Sequence, residues 1–332
     1  QDVGFSLGPR INAVGRLQDA TLVVQLLLTE DTAEAEELAE IVDSLNNERK
    51  KIVSQIVNEA EKMVNVDDQE SVIIVAKQGW NEGVLGIVAS QLVRKFDRPA
   101  FVLTIKEEEG EAKGSARSIP AFNIFESCME VRHLFTQFGG HSQAAGMTIP
   151  LEHLEEIEQA LNLKIKQNLN SDDFKQEIQI SGTLLLSDVT EHLIHEIEQM
   201  APFGMGNPKP NFRLQGQPTD VRQIGNGKKH LKLKLKEDGA VVDGIGFQMG
   251  KLFHYITPHT SIDIVGELGI NEWNGHRQTQ MMIRDMEIKE WQLFDQRGPK
   301  GMDIIMYNPD CDKSVILTNE TLEFSNHQLN AI

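Results

Sequence analysis

The hydrophobic period of this chain changes at "NSDDF", residues 170–174. Ahead of that point apolar residues recur mostly at three- and four-residue intervals, interrupted by a few short compact apolar runs. Beyond it they alternate one on, one off, between frequent turns. A helical stripe and an alternating strand bury their apolar sides in different layer arrangements, so one core cannot serve both halves. A length of 332 residues leaves room for two or three domains.

In the first part, "EDTAEAEELAEIVDSLNNERKKIVSQIVNEAEKMV" places Ala35, Leu38, Ile41, Val42, Leu45, Ile52, Ile56 and Val57 along one helical stripe. Residues 19–65 read as helix, with Asp31 or Thr32 as cap and Glu34 to Glu37 at its electropositive start. Heptads are not sustained, and a connector between domains fits as well as a coiled coil. Strands are expected at 71–78, 99–105 and 110–118, and helices at 84–96, 122–131 and 151–169. "FGGHSQAAGMTIP" (138–150) reads as a glycine-rich loop running into a strand. This succession specifies an α/β or α+β layered domain. Past residue 174, "EIQISGTLLL", "NFRLQGQPTDVRQIG", "HLKLKLKEDGAVVDGIGF", "SIDIVGELGINEW" and "RQTQMMIRDMEI" alternate, and only "SDVTEHLIHEIEQM" looks helical. About five strands with one helix suggest a small closed β-barrel of OB type. Something new starts at "DQRG" after Trp291. The expected divisions are 1–18, 19–69, 70–170, 171–290 and 291–332.

The formal charge of −18 is uneven: residues 1–174 carry 16 Lys and Arg against 29 Asp and Glu. Any nucleic-acid site must then be a local patch on an acidic body. No apolar run approaches the roughly 20 residues that span a bilayer, and no signal-peptide pattern is present. Cys128 and Cys311 lack metal-ligand or CxxC spacing, which points to a reducing, cytoplasmic setting. The opening "QDVGFSLGPRINAVGRL" lacks an initiator methionine and "SNHQLNAI" ends without a cap, as expected of a piece of a longer protein.

Five motifs could carry chemistry. "GPRINAVGRL" sets Arg10, Asn12 and Arg16 among glycines before a helix, either as solvated arginines or as grips for phosphate. In "KGSARSIP", Ser115 and Arg117 share a strand face, suited to a terminal phosphate or simply turned to water. Gly139, Gly140 and His141 fail the GxGxxG pattern, yet bare backbone N–H groups can cradle an anion and an imidazole can contact phosphate or stack on a base. "HLKLKLK" turns Leu231, Leu233 and Leu235 one way and Lys232, Lys234 and Lys236 the other, with Lys228 and Lys229 extending a fully basic face. That face is either an edge strand protected by lysines or a track for a strand of DNA. Trp273 and Arg277 in "NEWNGHRQTQ" form a candidate stacking pair. No paired carboxylates, HExxH, Walker loop, Ser-His-Asp arrangement or divalent-metal site emerges, so the residues themselves supply anion binding and no reaction.

Taken in order, "GPRINAVGRL", "GWNEGVLGIVASQLVRKFDRPAFVL", "GSARS", "FGGHSQAAGMTI", "PFGMGNPKPNF" and "NEWNGHRQTQ" resemble the RecJ-type exonucleases of the DHH phosphoesterase superfamily, from about residue 6 to residue 290. The resemblance implies a DHHA1 domain preceded by a connector helix and followed by an OB barrel. It implies a metal-dependent 5′→3′ exonuclease specific for single-stranded DNA, acting in repair and recombination. The family's Asp-His-His triplet is not found, so the metal centre, with Mn²⁺ or Mg²⁺, is expected in a domain outside this chain, and the chain alone is expected to be inactive. Under the resemblance, Gly139, Gly140 and His141 hold the DNA backbone and Ser115 and Arg117 form a 5′-phosphate pocket. Arg10, Asn12 and Arg16 line the same cleft. Lys228, Lys229, Lys232, Lys234, Trp273 and Arg277 grip the strand on the barrel. Expected partners are single-stranded DNA, a single-stranded-DNA-binding protein and a RecQ-type helicase, with the chain a monomer. The alternatives are a DHHA1-type oligoribonuclease or bisphosphate phosphatase, which usually lacks an OB barrel, and a protein-docking region.

Overall fold

The computed structural model describes residues 2–65, 71–175, 177–204, 206–256, 261–273, 275–288, 292–295, 304–308 and 313–317. The chain separates into two units, Gln1–Gln176 and Glu177–Ile332, close to the change in hydrophobic period.

The first unit opens with three helices, α1 (Gly8–Leu17), α2 (Thr21–Leu28) and α3 (Thr32–Glu61). "GPRINAVGRL", expected to precede a helix, is α1 itself, with Pro9 in its first turn where a missing N–H is harmless. The single helix expected over 19–65 is divided at Thr29–Asp31, where Thr29 and Asp31 take extended backbone. Asp31 then caps α3, its Oδ1 accepting the Ala33 N–H at 2.9 Å, as Asp19 Oδ1 accepts that of Thr21 at 2.7 Å ahead of α2. The thirty-residue α3 serves two clusters. Val42 and Leu45 pack with Val14 and Val23, while Val53, Ile56, Val57 and Ala60 pack against the layer that follows.

That layer is a five-stranded sheet of β1 (Ile73–Gln78), β2 (Ala100–Lys106), β3 (Glu111–Arg117), β4 (Gln137–His141) and β5 (Ala144–Pro150), in the order β1-β2-β3-β5-β4. β1 and β2 are parallel, joined by the crossover helix α4 (Leu85–Phe96). The remaining pairs are antiparallel. Helices α5 (Ile124–Met129) and α6 (Leu154–Asn168) bring Ile124, Ile157, Leu161 and Ile165 onto Phe101, Leu103, Ala116, Met147 and Ile149. On the other face α4 packs over β2 and β3. The glycine-rich "FGGHSQAAGMTIP" is therefore a hairpin with a Ser142–Gln143 turn rather than a loop, and Gly139-Gly140-His141 lies in the edge strand β4. Gly140 permits the pairing, because a Cβ there would lie 2.3 Å from the Ala144 carbonyl oxygen.

The second unit contains β6 (Gly182–Leu184), α7 (Glu191–Gln199), β7 (Asn211–Ile224), β8 (His230–Glu237), β9 (Ala240–Gly246), β10 (Ile262–Trp273) and β11 (His276–Glu287). The order β10-β11-β9-β8-β7-β6, with β10 also pairing β7, closes a five-stranded barrel with β6 beside it. Leu231, Leu233 and Leu235 are fully buried inside it with Ile264, Leu268 and Met281. "HLKLKLKEDGAVVDGIGF" is two strands. Asp238 and Gly239, both at positive φ (47° and 86°), form the two-residue turn that folds β9 back on β8. Of "EIQISGTLLL" only β6 pairs. Three short strands, β12 (Gln292–Asp295), β13 (Ile304–Asn308) and β14 (Lys313–Leu317), make a separate antiparallel sheet. Cys311 lies outside the described residues.

Candidate nucleic-acid interface

Strand register assembles one face of the first sheet. Ala112 and Ala116 of β3 are buried in the core, so Ser115 and Arg117 occupy the opposite face. Across the sheet Ser115 pairs with Gly146 and Gly146 with Gly139, while Arg117 pairs with Ala144 and Ala144 with His141. Directly opposed residues share a face, so Ser115, Arg117 and His141 stand around two glycines. A Cβ on Gly139 would meet nothing within 4 Å, and one on Gly146 only the Gly114 oxygen at 4.0 Å. Both glycines and His141 are exposed. The result is a shelf of bare backbone bordered by a hydroxyl, a guanidinium and an imidazole whose Nδ1 accepts the Gln143 N–H at 3.3 Å.

Three arginines gather beside β3. Arg117 Nη1 donates to the Ala116 carbonyl at 2.8 Å, and its guanidinium lies on Gly86 of α4, where a Cβ would be 2.8 Å from Nη2. Arg16, in the last turn of α1, donates from Nη1 to the Gly83 carbonyl at 2.8 Å. The approach is close enough that a Cβ on Gly83 would sit 2.0 Å from the Arg16 carbonyl oxygen. Arg49 of α3 donates from Nη2 to Asn46 Oδ1 at 3.1 Å, and its buried Nε has no hydrogen-bond partner among the described residues. Burial first, and the positive charge of Arg16 second, push both Arg49 and Arg117 below the usual arginine range. None of the three forms an ion pair among the described residues. Arg49 and Arg117 are thus partly desolvated beside the like charge of Arg16, an arrangement that an anion would relieve.

Nothing in the sequence singles out Arg49. "NNERKKI" looks like a solvated charge run on a helix, and only the packing of α3 against α1 brings this arginine to Arg16. Arg10 instead ties α1 to α3, donating from Nε to Asp43 Oδ1 at 2.8 Å and from Nη1 to the Ser6 carbonyl at 2.9 Å. Asn12 and Arg16 line an open groove with Ile11, Gly15, Ala20, Val23 and Val24.

On the barrel, the expectation of a fully basic face needs correction. Asp243 of β9, only 7% exposed, lies between two of its lysines, 3.5 Å from Lys232 Nζ and 4.0 Å from Lys234 Nζ. The acid is partnered in the neighbouring strand and offsets part of the positive potential. Lys228 and Lys229 are exposed in the turn before β8. Arg277 Nη2 is 3.5 Å from Glu191 and its Nη1 is 4.0 Å from Glu272. Trp273 ends β10, but its side chain lies outside the described residues.

Among the described residues no group of three or more His, Cys, Asp or Glu could hold a metal ion. Burial pushes the Cys128 thiol up to about 12, which suppresses its thiolate. No described helix is long and apolar enough to cross a membrane.

Residues 69–167 match the DHHA1 domain family and residues 180–285 the RecJ OB domain family. The chain is 44% identical over 323 residues, 96% of its length, to the single-stranded-DNA-specific exonuclease RecJ of Bacillus subtilis. It is 31% identical over 297 residues, 86% of its length, to the Haemophilus influenzae protein of the same name. It spans 41% and 52% of those two proteins. The crystal structure of Thermus thermophilus RecJ in complex with Mn²⁺ aligns with a TM-score of 0.73 at 26% identity, over 91% of this chain and 42% of that one. The Mg²⁺ complex gives 0.74 over 91% and 44%. A DHHA1 domain followed by a RecJ OB domain, with this identity along nearly the whole sequence, means that the chain belongs to the RecJ family.

Proposed function

We propose that this chain holds single-stranded DNA and its 5′-terminal phosphate for a RecJ-type 5′→3′ exonuclease. The observation that carries the proposal is the cluster of Arg16, Arg49 and Arg117, without a carboxylate, beside Ser115 and the bare Gly139–Gly146 shelf. A terminal phosphate monoester carries about −1.5 to −2 charges near neutral pH, whereas an internal diester carries only one. Guanidiniums that already repel one another gain most from the more highly charged group, which favours an end over the middle of a strand. The open shelf lets sugar–phosphate backbone lie against the sheet, with His141 at its edge. On the barrel, the lysines of β8 and the preceding turn hold backbone phosphates.

These residues bind and orient. Hydrolysis is assigned to a metal-bearing domain of the whole enzyme, where Mn²⁺ or Mg²⁺ would supply an activated water. The divisions at residues 18, 69, 170 and 290 belong to the same reading, as do a repair and recombination role and contacts with a single-stranded-DNA-binding protein and a RecQ-type helicase.

The test is the affinity of the chain for one oligothymidylate with a 5′-phosphate or a 5′-hydroxyl. The phosphorylated strand should bind about tenfold more tightly, the scale of one charge-assisted hydrogen bond. Arg117→Ala should abolish that difference. Equal affinity of the unaltered chain for both strands would refute the phosphate site. Release of nucleotides by this chain in manganese would refute the division of labour.

A further inference from the structure

The buried stripe of α3 is apolar at both ends and polar in the middle. Val42 and Leu45 precede the break, and Val53, Ile56, Val57 and Ala60 follow it, all of them buried. Between them, at helical spacing, stand Asn46 and Arg49. Asn46 is only 1% exposed. A buried amide is costly unless it is hydrogen-bonded, and the α3 residues on either side of it are packed in apolar clusters.

Asn46 Oδ1 accepts a hydrogen bond from Arg49 Nη2 at 3.1 Å, one turn along the helix. The bond ties down one nitrogen of the guanidinium, while the buried Nε has no partner among the described residues. Arg16 lies near enough for its charge to act on Arg49. The chemistry of the partner matters as much as the bond. Carboxylates are close by on the same helix: Asp43, one turn before Asn46, is 2.8 Å from Arg10 Nε, and Glu48 beside Arg49 is exposed. A carboxylate at position 46 would hold Arg49 equally well and cancel its charge. The neutral amide holds the guanidinium and leaves its charge in place.

We infer that Asn46 is a positioning residue of the terminal-phosphate site. It orients Arg49 through a neutral oxygen, so that the buried Nε–H and an uncancelled positive charge remain for a phosphate monoester. Asn46 itself touches no ligand. A phosphate end with more than one negative charge gains more from uncancelled cations than a singly charged diester does. The amide at position 46 thereby sets how strongly the chain separates a 5′-phosphate from a 5′-hydroxyl end. The inference rests on the 5′-phosphate reading above and deepens it.

The experiment uses the whole chain and one oligothymidylate carrying either a 5′-phosphate or a 5′-hydroxyl. Asn46→Asp keeps the shape of the side chain and gives Arg49 a carboxylate. The preference for the phosphorylated strand should fall from about tenfold to within about twofold, while affinity for the 5′-hydroxyl strand changes by less than about threefold. A residue that merely supported the fold would move both affinities together. Asn46→Leu removes the oxygen but fills the volume, and should lower the preference to about threefold; Arg49→Met should do the same. The double variant Asn46→Leu/Arg49→Met should fall no further, because the two residues act as one unit. Urea midpoints check the fold of each variant, and the two apolar variants with their double decide the matter if Asn46→Asp does not fold. A folded Asn46→Asp or Asn46→Leu that keeps the full preference would overturn the inference. So would equal losses for both strands, or an additive double variant. A preference that survives these changes sinks this inference and leaves the terminal-phosphate reading standing. Its absence from the unaltered chain sinks that reading and this inference with it.

Discussion

At the scale of single residues, the glycines of the DHHA1 hairpin have opposite duties. Gly140 is required for folding, since a Cβ would collide with the backbone of Ala144 at 2.3 Å and of Ala145 at 2.6 Å. Gly140→Ala should destabilise the first unit by about 1–3 kcal/mol, the usual cost of forcing atoms into a packed site, seen as a lower urea midpoint. Gly139 faces open space, and Gly139→Leu should fold with nearly unchanged stability yet lose the preference for a 5′-phosphorylated strand. If Gly139→Leu keeps that preference, the shelf is not where backbone lies. The sequence marked both glycines and His141 as candidates without distinguishing them. Their division of labour follows from register, which sends alternate residues of β4 to opposite faces. Arg49 shows the converse, an ordinary charged helix residue given significance by one tertiary contact.

At the scale of elements, β8 was the most legible strand, because strict Leu–Lys alternation leaves one way to pack it. Its electrostatics were not legible, since Asp243 lies on a different strand and reaches Lys232 and Lys234 only through the β8–β9 pairing. Asp243→Asn preserves shape and releases both lysines. Binding of 5′-hydroxyl oligothymidylate should then tighten several-fold, with a salt slope steeper by about one. Unchanged binding would show that this face does not track the phosphates. The first helical segment departs from expectation for a related reason: continuous apolar periodicity hides the break at Thr29–Asp31, where the backbone turns extended and Asp31 caps a new helix.

At the scale of the molecule, an acidic chain keeps its cations in local clusters, and several of its carboxylates gain hydrogen bonds on folding. Asp19, Glu59, Glu82 and Asp172, all in the first unit, are held below the ordinary carboxylate range by hydrogen bonds from Thr21, Trp80, Lys106 and Lys175 respectively. Glu59 is lowest, at about 2 against an ordinary 4.5, with Trp80 Nε1 and Lys77 Nζ each donating at 2.9 Å. A depressed native value stabilises the fold above the unfolded pKa, and the stabilisation is lost as pH falls through the native one. The first unit should therefore lose stability between about pH 5 and pH 2. Trp80 fluorescence in a chain with Trp273 and Trp291 changed to Phe would follow the loss. Glu59→Gln should flatten that dependence, and an identical acid profile in the variant would contradict the assignment.

The sequence alone determined the two kinds of layer, the boundary between them, the barrel and the motifs of the family, because period and turn chemistry are local properties of the chain. The tertiary structure decided which charges meet. Register placed Ser115, Arg117 and His141 around a bare shelf, helix packing brought Arg49 to Arg16, and strand pairing set Asp243 beneath the lysines. Charge interactions depend on distance through space, and those distances exist only once the strands and helices have closed on one another.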